Sequence, residues 1–163
     1  MSGMLLVFGA LTIKKIYDRA HLPPPDIVRS LSHDSLVLQN GQHLDTAKLQ
    51  GRVVVVLSWA SWCPSCSVKL QTLSELKKIY GERLEVLAVN RGEEKSTMND
   101  YRAFAHLPEN ISYVEDPSDI YFKQVDGRSM PELIIFSKDG KIQSHLFDVP
   151  SLDELKSIID RVL

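Results

Sequence analysis

The chain has 163 residues, of which 44% are hydrophobic and 25% are charged, and its formal net charge at pH 7 is −2. This length and composition predict one globular domain with a substantial core and a short appendage. The near-neutral charge argues against nucleic acid or an anionic membrane as a partner bound by charge. The two cysteines are too few for a stabilising disulfide framework.

The N-terminal region contains an apolar run, residues 4–13, that ends at Lys14 and Lys15. The run is shorter than the roughly 20 residues needed to span a bilayer. It also lacks the basic start and small-residue cleavage site of a complete signal peptide. Two interpretations of residues 1–20 stay open: a helix packed on the domain or on a partner, and a trimmed export signal or membrane anchor.

A proline-rich spacer, residues 21–33, follows this segment. Three consecutive prolines, Pro23 to Pro25, break any helix and keep the chain extended. We expect the folded domain to occupy residues 34–163.

Strand and helix patterns alternate through that domain. A hairpin is expected first, because Asn40-Gly41 favours a type I′ turn between two short strands. Gly81 and Ser151 are expected to cap helices, and Ser96 or Thr97 to begin another. The remaining elements are expected as a helical turn at 45–49, a buried strand from 53, a helix at 63–80, a strand at 84–89, a helix at 96–107, a strand at 111–114, a short helix at 118–125, strands at 132–136 and 142–147, and a last helix from 151. This alternation predicts an α/β sheet that is covered on both sides.

Both cysteines lie where the buried strand leads into the first long helix. Backbone N–H groups at a helix N-terminus lack internal partners and carry partial positive charge, so a thiol there ionises more easily than a free one. Cys63 is therefore the expected nucleophile, and Cys66, three residues later, the expected resolving thiol. The pair predicts a site that makes and breaks disulfides.

Four segments together resemble a known family. They are Trp59 to Cys66 (WASWCPSC), Leu87 to Asn90 with Arg91-Gly92-Glu93 after it, Pro131 at the head of a strand, and Lys138 to Ile142 (KDGKI). They look like thioredoxin-fold thiol-disulfide oxidoreductases of the TlpA/ResA-like branch, within the alkyl hydroperoxide reductase and thiol-specific antioxidant family. The resemblance covers roughly residues 35–163. It implies a thioredoxin fold, a central mixed β-sheet flanked by helices, with an added N-terminal β-hairpin.

The resemblance also implies roles for single residues. Cys63 would be the exposed attacking thiolate and Cys66 the buried thiol that resolves the mixed disulfide. Pro131 would be the family's cis-proline, and Met130 before it would touch the substrate. The substrate-binding residues would be Trp62, Pro64, Ser65, Met130 and Pro131, and Pro64 and Ser65 would also tune the reduction potential.

The chain departs from the family at three positions. Lys69 stands where many members carry a glutamate near the thiols, Leu57 where plain thioredoxin has a buried aspartate, and Gln71 where a helix-kinking proline is common. Two interpretations of Lys69 stay open: it points at the thiols and stabilises the reduced form, or it is solvated on the helix surface. Other side chains receive plain interpretations: Trp59 as core, Trp62 as a partly exposed flank of the site, and Glu93 as solvated charge.

Three functions stay open. The main prediction is an enzyme, a thiol-disulfide oxidoreductase that cycles Cys63 and Cys66 through mixed disulfides with protein substrates, more as a reductant than as an oxidant. The second is a Cu(I)-binding or copper-delivery module that uses the cysteines and Met130. The third is a catalytically quiet interaction domain.

Partners and compartment follow from the resemblance. It implies protein thiols and disulfides as substrates, a membrane or soluble thiol electron donor, and a monomer. The five histidines are scattered, with no pair at ligand spacing, so they are not expected to form a metal site. No cofactor is expected either. The expected location is periplasmic or otherwise extracytoplasmic, with an N-terminal membrane tether as one option and a cytoplasmic location left open.

Overall fold

The computed structural model describes residues 26, 27, 31 and 36–163. The predicted N-terminal segment, residues 1–20, and most of the predicted spacer, residues 21–33, lie outside the described residues. No helix within the described residues is both long enough and apolar enough to cross a bilayer.

Six strands and four α-helices make up the described domain. The strands are β1 (Val37–Leu38), β2 (Val53–Trp59), β3 (Leu84–Arg91), β4 (Ser112–Asp116), β5 (Glu132–Phe136) and β6 (Ile142–Leu146). The helices are α1 (Cys66–Tyr80), α2 (Lys95–Phe104), α3 (Ile120–Gln124) and α4 (Leu152–Asp160), with short 3-10 turns at Thr46–Leu49 and Gly81–Arg83.

All six strands form one mixed sheet in the order β1-β4-β3-β2-β5-β6. Strands β2, β3 and β4 run parallel, while β1, β5 and β6 are antiparallel to their neighbours. The central strand β2 is buried along its whole length, as its unbroken apolar sequence predicts for a strand covered on both faces. The C-terminal end of β2 therefore lies in the middle of the sheet edge, and the cysteine loop starts there.

Side chains alternate between two cores, one on each face of the sheet. Helices α1 and α4 cover one face, where Leu70, Leu73 and Leu155 pack against β2 and β5. Helix α3 covers the other face together with Ile27 and Leu31 of the N-terminal part. The predicted α/β sheet with two covered faces is confirmed.

Several local predictions are confirmed. Gly81 ends α1 with a positive φ of 57°. Ser151 begins α4 with a capping box, in which its hydroxyl accepts from the Glu154 N–H while the Glu154 carboxylate accepts from the Ser151 N–H.

Three local predictions are wrong in detail. Helix α1 begins at Cys66 and not at Cys63, because Cys63 lies in the preceding turn, where its N–H donates to the Ala60 carbonyl. Helix α2 begins at Lys95, so neither Ser96 nor Thr97 caps it. The hairpin closes through a three-residue loop in which Gly41 alone has a positive φ, whereas a type I′ turn also needs a positive φ at Asn40.

Candidate active site

Cys63 and Cys66 are joined by a disulfide at the N-terminal end of α1, with their Cα atoms 5.4 Å apart. Cys63 is only 3% exposed and Cys66 is fully buried. The expectation of an exposed Cys63 is therefore wrong for the disulfide form, because its sulfur is bonded inward to Cys66 and both residues belong to the core under the sheet. Of the two, Cys63 alone keeps accessible surface, so an incoming thiol would reach the pair there.

The N-terminal end of α1 is electrostatically suited to a thiolate. Ser65, the residue before the helix, makes no side-chain capping bond, and the first turn contains no acidic residue. The positive end of the helix dipole is thus not neutralised by the helix's own side chains. The Ser65 hydroxyl lies 3.9 Å from the Cys63 sulfur, within reach of a weak hydrogen bond. Pro64, between them, is exposed.

A carboxylate not predicted from the sequence lies against the cysteine loop. Glu93 accepts hydrogen bonds from the backbone N–H of Ser61, at 2.8 Å, and from the Ser61 hydroxyl. Its Oε2 also accepts from the Asn90 amide at 2.7 Å. Glu93 is therefore not the solvated charge that was expected. Sheet order was the signal that could have identified it, because the C-terminal ends of the parallel neighbours β2 and β3 meet at one edge.

The second loop at the site leads into β5. The Met130–Pro131 peptide bond is cis, as the resemblance implied. Met130 is partly buried and packs against the core cluster that includes Cys63 and Cys66. Met130 and the cysteine pair thus share one core cluster, although the two segments are more than 60 residues apart in the chain.

The two tryptophans of the motif have opposite environments. Trp59 is fully buried and meets the Tyr113 ring edge-on, with ring centroids 5.7 Å apart. Trp62 is 60% exposed beside Cys63. Both interpretations made from the sequence, core for Trp59 and exposed flank for Trp62, are confirmed.

Lys69 binds the loop before α4. Its ammonium donates to the Val149 carbonyl at 2.5 Å and lies 3.2 Å from Asp148 Oδ1. The pKa of Asp148 is lowered by the Val149 N–H that it accepts and by this lysine. Lys69 is thus not simply solvated: it ties the cysteine-bearing helix to the 148–149 loop, and its charge is balanced there.

Comparisons with known proteins agree with this geometry. The redoxin family model matches residues 23–163. The thiol-disulfide oxidoreductase ResA of Bacillus subtilis is 23% identical over 144 residues, which cover 86% of this chain and 79% of that protein.

Two solved structures share the fold. The structure of MTB dsbF in mixed oxidized and reduced forms has a TM-score of 0.72 at 17% identity and covers 82% of this chain and 97% of its own. A secreted Mycobacterium tuberculosis disulfide oxidoreductase, described as homologous to E. coli DsbE, has a TM-score of 0.68 at 19% identity. The match covers 81% of this chain and 97% of that chain.

Proposed function

The chain belongs to the redoxin family, and from this premise we propose that it is a reductant in which Cys63 attacks protein disulfides and Cys66 resolves the product. The enzyme class itself, a thiol-disulfide oxidoreductase of the TlpA/ResA-like branch, is the one predicted from the sequence, and the similarity to ResA bears it out. The residue roles, the direction of electron flow and the compartment are the proposal.

The reaction takes place in two exchange steps. The Cys63 thiolate attacks one sulfur of the substrate disulfide, whose S–S bond breaks, and the other substrate sulfur leaves as a thiolate and takes a proton. The Cys66 thiolate then attacks the Cys63 sulfur and releases the first substrate sulfur as a thiol. Two electrons have passed to the substrate, and the enzyme is left with the Cys63–Cys66 disulfide.

One observation carries this proposal: the disulfide stands at a helix N-terminus, and only its first cysteine keeps accessible surface. Such an environment favours the thiolate of Cys63, and the thiolate is the attacking species. The buried position of Cys66 protects it from outside thiols while it lies one bond away from Cys63. Trp62, Pro64 and Ser65 adjoin Cys63 in the chain, and Met130, before the cis Pro131, packs against the core cluster that includes both cysteines, so these five are the proposed substrate contacts.

The enzyme is proposed to act as a monomer outside the cytoplasm. A related solved structure is that of a secreted disulfide oxidoreductase. Outside the cytoplasm the pair would need a continuous supply of electrons, because disulfides persist there. A membrane-bound or soluble dithiol donor is proposed to reduce the Cys63–Cys66 disulfide after each turnover, and an N-terminal tether would keep the domain near a membrane donor.

The residue roles are tested by trapping. In Cys66→Ser the mixed disulfide cannot be resolved, so incubation with a disulfide-containing protein such as insulin should give a covalent adduct that dithiothreitol releases. Cys63→Ser should give none. An equal yield of adduct from both variants would contradict the assigned roles of the two cysteines. Failure of the wild type to exchange disulfides at all would contradict the proposed function.

The direction is tested by the reduction potential, measured by equilibration against glutathione. A value near about −270 mV, like that of thioredoxin, supports the reductant. A value near about −120 mV, like that of DsbA, would make the protein an oxidant instead.

A further inference from the structure

A buried carboxylate directly follows the cis-proline loop. Glu132 is the first residue of β5 and is only 1% exposed. It pairs with Ser58 of β2, next to Trp59, and therefore lies at the sheet edge where the cysteine loop begins. Its side chain shares the sheet face of Ile134 and Phe136, which is the face opposite to α1. Glu132 thus lies behind the site and does not face the disulfide.

Each oxygen of this carboxylate is engaged. Oε2 accepts the backbone N–H groups of Arg128, at 2.7 Å, and Ser129, at 3.1 Å. Oε1 lies 2.8 Å from Nε2 of His145 on the neighbouring strand β6. Burying a carboxylate is costly unless it is hydrogen-bonded, and these three partners offset that cost.

Two of the three partners, Arg128 and Ser129, belong to the loop of residues 128–131. Glu132 holds the first two residues of the loop by their backbone, and the Ser129 hydroxyl donates to the Phe147 carbonyl at 3.0 Å. The last two residues are Met130, which packs against the core cluster that includes the cysteines, and Pro131. The loop is therefore tied at its start by Glu132, while Met130 near its other end joins the core cluster of the cysteines.

His145 supports the carboxylate from the outer side. It is about a quarter exposed, and its ring lies against that of Phe147, with centroids 4.9 Å apart. Two further titratable groups interact electrostatically with Glu132, namely Arg128 of the loop and Tyr121 of α3. The pKa of Tyr121 is raised by burial and by the charge of Glu132.

We propose that Glu132 is a positioning residue for substrate binding, which holds the 128–131 loop in the conformation that receives a disulfide-bearing polypeptide, with His145 as its support. The inference rests on the proposed function. It differs from the roles of Met130 and Pro131, because Glu132 touches neither the substrate nor the reacting sulfurs. It acts through two backbone hydrogen bonds.

The test compares a large substrate with a small one. In Glu132→Val the two loop N–H groups lose their acceptor, so we expect kcat/KM for insulin reduction to fall about tenfold, mainly through KM. Reduction of the Cys63–Cys66 disulfide by dithiothreitol and the reduction potential should stay at the wild-type values. Glu132→Gln keeps one acceptor oxygen for the loop and an amide that can donate to His145, so it should recover most of the insulin activity.

Asp116 supplies the matched control. Like Glu132, it is a buried carboxylate at a strand end that accepts two backbone N–H groups, but these belong to Ile120 and Tyr121 in α3. Asp116→Val should lose stability without losing kcat/KM for insulin. If Glu132→Val does not fold, His145→Leu is measured instead. Its kcat/KM for insulin should fall about threefold, because Glu132 loses the contact with His145 but keeps its hydrogen bonds to the loop.

Three outcomes would overturn the inference. The first is that Glu132→Val, or His145→Leu in its place, keeps the wild-type kcat/KM for insulin. The second is that Asp116→Val loses as much of kcat/KM for insulin as the Glu132 variant does. The third is that the Glu132 variant loses the dithiothreitol reaction to the same extent as the insulin reaction. Inertness of the wild type toward both reagents is a different result, which contradicts the proposed function itself.

Discussion

The Glu93 carboxylate accepts hydrogen bonds from both the backbone N–H and the hydroxyl of Ser61, the residue two places before Cys63. A loop after β3 thereby holds the loop after β2, and Asn90 donates to the same carboxylate from the end of β3. Cys63 is thus positioned from two strands, although only β2 leads directly into it.

Loss of this contact should slow disulfide exchange. In Glu93→Ala the loop before Cys63 loses its acceptor, so we expect the rate constant for insulin reduction to fall about tenfold, which corresponds to about 1.4 kcal/mol in the barrier. The rate constant of Glu93→Gln should fall less, because the amide oxygen of the glutamine still accepts one hydrogen bond. Glu94→Ala, at the exposed neighbouring position, is the control; an equal effect there would contradict the assignment.

Trp62 and Trp59 should respond in opposite ways to truncation. Trp62→Ala should change the free energy of unfolding by less than about 0.5 kcal/mol, because the side chain is exposed. It should nevertheless lower kcat/KM for insulin several-fold, because exposed aromatic side chains beside a site often dominate binding. Trp59→Ala should cost about 3–5 kcal/mol of stability in urea unfolding.

Phe104 is the control for Trp62, since it is an exposed aromatic residue at the end of α2. Phe104→Ala should leave both stability and kcat/KM unchanged. The same loss of activity in Phe104→Ala would mean that general surface hydrophobicity, and not contact at Cys63, explains the effect of Trp62.

Lys69 should act on stability and not on the reduction potential. Lys69→Met keeps most of the alkyl chain but loses the bonds to the Val149 carbonyl and Asp148, so we expect a loss of about 1 kcal/mol in urea unfolding. The reduction potential should shift by less than about 10 mV, a third of the 30 mV that a tenfold change requires. A fall in the reduction potential of about 30 mV or more, which is a tenfold change in the equilibrium constant, would show that Lys69 acts on the thiols.

Tyr113 should make stability depend on alkaline pH. Burial raises its pKa from 10.0 to about 12, against a smaller opposing effect of the Arg102 guanidinium over its ring. A raised pKa means that the folded state favours the neutral phenol, so this contribution is complete below pH 10 and is lost as the pH rises from 10 to about 12.

The corresponding variant is Tyr113→Phe, which cannot ionise. It should be less stable than the wild type at pH 8, because the hydrogen bond to the Pro108 carbonyl is gone, yet it should lose less stability between pH 10 and 12. Urea unfolding at several pH values measures both. Parallel pH curves for the two proteins would show that Tyr113 does not contribute to the slope.

The sequence by itself determined the elements and the redox centre. The unbroken β-branched run from Val53 predicts a strand buried on both faces, and the apolar spacing after Cys66 predicts a helix that covers it, and the structure has both. The position of both cysteines follows from these local patterns. The cis form of the Met130–Pro131 bond was implied by the family resemblance and not by any local pattern.

Only the tertiary structure decided the partners of the charged residues. The sequence pattern treated Glu93 as solvated, left Lys69 open between the thiols and solvent, and gave Glu132 no role. Their partners Ser61, Val149 and His145 are brought to them by sheet order, by the packing of α1 on α4 and by the pairing of β5 with β6. The physical reason is that a hydrogen bond is directional and short, so it depends on the approach of distant segments, whereas burial of an apolar strand depends on its own composition.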